Sequence, residues 1–62
     1  KTNKMKTLNI IIKENISTTL SQIGPNSWRV SQTYLGNTLK QLGIDYFSTL
    51  KKAENKFNSL TK

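Results

Sequence analysis

Apolar residues recur along this chain in steps of three and four. In the first third they fall at Met5, Leu8, Ile12, Ile16, Leu20 and Ile23, while Lys6, Lys13, Ser17 and Ser21 take positions between them. That spacing keeps the apolar side chains on one face of an α-helix and predicts a helix over 5–23. The β-branched run Ile10-Ile11-Ile12 also suits a strand, so the start of this element stays open. Gly24-Pro25 supplies a stop: a left-handed cap, then a residue that cannot continue a helix. Ile10 falls off the apolar stripe, either as a stray exposed residue or as a contact for missing sequence or a second subunit.

Pro25-Asn26-Ser27 reads as a turn, and Trp28-Arg29-Val30 as a very short strand or extended connector that carries Trp28 into the core. Ser31 is a good N-cap for a second helix over 31–42, with Tyr34, Leu35, Leu39 and Leu42 as its stripe and Gly43 as its left-handed terminator. Gly36 inside that helix costs about 1 kcal/mol relative to Ala, a cost that close approach of a crossing helix offsets. Asp45 caps a third helix over 45–61, where Tyr46, Leu50, Ala53, Phe57 and Leu60 repeat at steps of four, three, four, three. Its opposite face carries Ser48, Lys51, Lys52, Asn55, Ser59 and Lys62.

The expected fold is therefore all-α: a small three-helix bundle in which the second and third helices form a helix-turn-helix. It is winged-helix-like if 28–30 is a true strand. Residues 1–6 form a flexible, basic lead-in, and 1–62 is a single domain.

Composition narrows the function. A 62-residue chain buries only about 60% of the surface it exposes when unfolded. Cysteine and histidine are both absent, so neither a disulfide nor a zinc site staples the fold. Ten Lys/Arg against three Asp/Glu give a formal charge of +7, a balance that attracts polyanions over long range. Solubility, or a genome rich in Lys, Asn and Ile codons, is the plainer explanation of the same number.

Ile10-Ile11-Ile12 is the longest apolar run, far short of the roughly 20 residues a membrane-spanning helix needs. With no signal-peptide pattern either, the expected location is intracellular, in the cytoplasm, nucleoid or nucleus. The chain starts at Lys1 rather than Met and reads as a candidate fragment of a longer protein.

Catalysis is hard to build here. Glu14, Asp45 and Glu54 lie on three separate segments, and no Gly-rich phosphate loop or cluster of metal ligands is present. The expectation is a non-enzyme with no cofactor and no metal.

Binding remains. In a helix-turn-helix the second helix of the pair reads the nucleic acid. Lys51, Lys52 and Lys56 would meet phosphates, Asn55 a base edge, and Arg29 and Lys40 would clamp phosphates from the flanks. DNA is favoured over RNA. The alternative is a protein-interaction or accessory domain of a larger replication, recombination or RNA-processing assembly, or self-association; a membrane partner is not expected. A basic helix face in a basic protein is otherwise simply solvated. Tyr34, Tyr46 and Phe47 are expected in the core, like Trp28 and Phe57. Two of them exposed beside cations would instead make a stacking platform for single-stranded bases.

The stretch SWRVSQTYLGNTLKQLGIDY, with Trp28, Val30, Leu35, Gly36, Leu39 and Tyr46 at its recurring places, resembles the core of OST-HTH (LOTUS) domains. That resemblance implies a winged-helix-like fold associated with RNA and with protein partners.

Overall fold

Strand β1 (Lys6–Lys13) runs into β2 (Ile16–Gly24), β3 (Ser27–Leu35) and β4 (Leu39–Phe47), and a single helix α1 (Leu50–Leu60) closes the chain. The computed structural model describes residues 5–62. The strands form one antiparallel sheet in the order β1-β2-β3-β4. This overturns the all-α, three-helix expectation and with it the helix-turn-helix. The segment 27–46, which carries the LOTUS resemblance, is the β3–β4 hairpin, so the winged-helix arrangement falls as well. The short strand expected at 28–30 lies within the nine-residue β3.

The physical reason is a shared period. Within β2, Ile16 and Leu20 are four apart, and an even step keeps side chains on one face of a strand as well as of a helix; Ile12, across the turn, pairs with Ser17 and falls on the opposite face. Branching at Cβ then decides. Thr7, Ile10, Ile11, Ile12, Ile16, Thr18, Thr19 and Ile23 crowd a helix and fit a pleated surface. Glu14 and Asn15, both with positive φ (54° and 65°), form the two-residue turn between β1 and β2, with the twist of a type I′ hairpin. Pro25-Asn26 makes the second turn, between the paired residues Gly24 and Ser27. No described glycine has positive φ, so Gly24 and Gly43 are not left-handed caps. Ser31 and Asp45 lie inside β3 and β4 and cap nothing. Of the expected lead-in, Lys6 already belongs to β1, and residues 1–4 lie outside the described part.

The helix starts at Thr49, whose Oγ1 accepts from the Lys52 backbone N–H at 3.3 Å. It buries Ala53 and Phe57 against Leu20 of β2 and Val30 of β3, with Trp28, Phe47 and Leu60 around them. Leu20 and Val30 are direct cross-strand partners, so the core is one layer between helix and sheet. The helix packs across β2, β3 and β4 but not β1, and all eight residues of β1 are exposed. No helix among the described residues is long and apolar enough to cross a membrane.

Candidate nucleic-acid interface

Strand alternation sorts the sheet into two faces. Leu20 and Val30 mark the face under α1, together with Thr18, Gln22, Trp28 and Gln32. Among the described residues no element covers the other face. Its middle holds Ser17, Thr19 and Ser21 of β2, paired in register with Thr33, Ser31 and Arg29 of β3. On the flanks Ile10 and Ile12 of β1 pair with Thr19 and Ser17, while Ile44 and Tyr46 of β4 pair with Ser31 and Arg29. The uncovered face is thus a row of hydroxyls and one guanidinium between two apolar margins.

Arg29 is the feature of this face that asks for a ligand. Its Nη2 donates to the Met5 sulfur at 2.8 Å, and a thioether is a weak acceptor. Among the described residues no carboxylate reaches it; the one ion pair is Lys56 to Asp45. The Nε of Arg29 and the Oγ of Ser21, its register partner, are both buried without a hydrogen-bond partner. Buried donors of this kind carry a desolvation cost that an incoming acceptor relieves. Tyr46, directly across from Arg29 on β4, is 64% exposed.

The residues expected to bind nucleic acid are not brought onto one surface. Lys51, Lys52 and Asn55 are exposed on the outer side of α1. Lys56 sits 3.6 Å from Asp45, both side chains partly open to water, an ion pair worth about 0–1 kcal/mol. Lys40 pairs with Tyr34 across β3 and β4, on the helix side by alternation. Arg29 alone is on the uncovered face. The expectation that Tyr34 and Tyr46 fill the core is corrected: both are exposed, because the core needs only one residue from each of β2 and β3. What sequence reading missed is the hydroxyl row. Its signal is the period-two spacing of Ser17, Thr19 and Ser21, then Arg29, Ser31 and Thr33, which marks one face of a strand.

Elsewhere the surface offers shallow grooves. One of about 340 Å³ lies between the C-terminal end of α1 and the first hairpin, where Lys13 Nζ donates to the Lys62 carbonyl at 3.4 Å. Among the described residues no three acidic, histidine or cysteine side chains cluster in a way that could hold a metal ion. No protein-family model matches this chain, and neither a curated protein nor a solved structure matches it.

Proposed function

We propose that this chain is a non-catalytic nucleic-acid-binding module that lays a single strand across the uncovered face of its sheet. The reading element is the sheet rather than a helix. The observation that carries this reading is two groups on one face: the Arg29 guanidinium, turned toward the Met5 sulfur and with no acidic partner among the described residues, and the exposed ring of Tyr46, its register partner on β4. A base stacked on a tyrosine contributes about 1–3 kcal/mol whatever its sequence, and a phosphate that displaces the Met5 sulfur gives Arg29 a charged acceptor. The hydroxyls of Thr19, Ser31 and Thr33 serve sugar and base edges. Duplex DNA fits less well, because a flat strand face does not enter its grooves as an isolated helix does. The net charge of +7 supplies long-range attraction, with Lys51 and Lys52 contributing from the far side. Such a module acts where nucleic acid is, in the cytoplasm, nucleoid or nucleus.

The test is fluorescence anisotropy with labelled single-stranded DNA, single-stranded RNA and duplex DNA at low and moderate salt. Single strands should bind more tightly than duplex. Combining Arg29→Ala with Tyr46→Ala should remove that preference, whereas Lys51→Glu with Lys52→Glu should weaken all three probes and leave the order intact. Loss of binding only in the lysine variant would move the interface to α1. No response to any probe at low salt ends the reading.

A further inference from the structure

Strand β1 is the part of the molecule that the fold leaves unfinished. It is an edge strand, and none of its eight residues is buried on either face. Ile10, Ile11 and Ile12 sit at its centre, with 51%, 37% and 62% of their surface in water. The other edge, β4, is protected. The chain inserts an extra residue there opposite Gln32–Thr33, and Asp45 and Lys56 bridge it to the helix. Irregular and charged edges resist pairing, whereas a regular apolar edge invites it.

The same conclusion follows from the core. Four apolar residues are buried while eleven large ones are exposed. The radius of gyration is 11.8 Å, against about 10.5 Å for a compact chain of this length. Domains this small normally gain stability from disulfides, a structural metal or association. Cysteine and histidine are absent, which removes disulfides and a thiolate or imidazole metal site and favours association.

We propose that two copies of this chain pair through β1, antiparallel about a two-fold axis at Ile11, to make one continuous eight-stranded sheet. Self-pairing is favoured over a foreign strand because residues 9–13 are complementary to themselves. In that register Ile11 faces Ile11, each Ile10 faces an Ile12, and each Lys13 faces Asn9, so no two lysines meet. Residues brought opposite each other share a face, as a two-fold axis normal to the sheet requires. The extra residue Leu8 breaks the β1 register between Thr7 and Asn9, which confines regular pairing to this stretch. Stacking of the two uncovered faces is the poorer geometry, since it buries two Arg29 guanidinium groups without carboxylates. Pairing at β1 keeps those faces open and joins them into one surface with two Arg29–Tyr46 pairs.

The pairing stands apart from nucleic-acid binding, and salt separates the two. Neutralising phosphates weakens with salt, while association of two chains of charge +7 strengthens as their repulsion is screened. Sedimentation equilibrium of the nucleic-acid-free chain should approach twice the 7.1 kDa chain mass, more fully at high salt than at low. Ile10→Lys with Ile12→Lys, at positions already exposed, should return the single-chain mass with an unchanged circular dichroism spectrum. Because the chain has no cysteine, a single Ile11→Cys substitution should cross-link two copies on oxidation, and Leu39→Cys at the β4 edge should not. A single-chain mass at every salt concentration overturns the proposal. So does a dimer that survives the lysine variant, or cross-linking at residue 39 in place of 11.

Discussion

Arg29 and Tyr46 face each other across β3 and β4 on the side of the sheet that α1 leaves bare. The pairing puts a cation and an aromatic residue on one face, with the guanidinium held by the Met5 sulfur rather than by a carboxylate among the described residues. Arg29→Ala should reduce the slope of log affinity against log salt by about 0.7, the contribution of one phosphate on a single strand. Arg29→Lys should keep that slope but lose affinity, because an ammonium replaces a planar fork of donors. Anisotropy titrations over a salt series read both numbers. Equal slopes in the native chain and the Ala variant would show that Arg29 contacts no phosphate.

Phe57 holds helix to sheet almost alone. With Ala53 it is one of the two fully buried positions of α1, and it meets Leu20 and Val30. Replacing a buried Phe by Ala costs about 3–5 kcal/mol, which is all that a core of this size supplies. Phe57→Ala should be largely unfolded at room temperature, with red-shifted Trp28 emission and no cooperative thermal transition.

The same residue shows which part of the fold could be read in the sequence. Leu50, Ala53, Phe57 and Leu60 alternate steps of three and four, a pattern that fits no strand, and they form α1. One more step of four joins Tyr46 to that stripe, yet it belongs to β4. A step of four also joins Ile16 to Leu20, where both periods fit and Cβ branching is the deciding term. The site followed the same division. Exposure of Lys51, Lys52 and Asn55 was legible because their helix was. The extended reading of Trp28-Arg29-Val30 already sends Arg29 to the side opposite Trp28 and Val30, as β3 does, but the hydroxyls that share its face emerge only once the strand runs from Ser27 to Leu35.

The turn at Glu14-Asn15 is suboptimal. A type I′ turn needs positive φ at both central residues, and Glu14 adopts 54°, at a cost of about 1–2 kcal/mol for a residue with a long side chain. Asparagine tolerates that conformation better. Glu14→Asn should stabilise the domain by about 0.5–1 kcal/mol, read as a higher denaturation midpoint with unchanged m-value. A lower midpoint would mean that Glu14 contributes something other than backbone geometry.

The first turn of α1 is electrostatically inverted. It has no acidic residue and carries Lys51 and Lys52 near the positive end of the helix dipole. Thr49 is therefore important as the cap. Thr49→Ala should cost about 1 kcal/mol, while Thr49→Asp keeps an accepting oxygen, adds the missing negative charge and should gain about 0.3–1 kcal/mol. The gain should shrink in high salt. A salt-independent effect would assign it to hydrogen bonding alone.

Gly36 and Gly43 make a matched pair for the last prediction. A Cβ built on Gly43 meets nothing within 4 Å, and its φ is not positive. The residue lies in β4 opposite Gln32, beside a hollow of about 200 Å³ that Val30, Leu42 and Leu60 help to line. Glycine there has greater freedom in the unfolded chain and packs nothing when folded. Gly43→Ala should raise stability by about 0.5–1 kcal/mol. At Gly36 the same added carbon would collide with the ring of Tyr34. Gly36→Ala should therefore swing the Tyr34 ring aside and gain nothing, even though Gly→Ala restricts the unfolded chain equally at both sites. Parallel denaturation of the two variants isolates space around Cβ from chain entropy. Equal shifts would show that entropy alone sets the outcome.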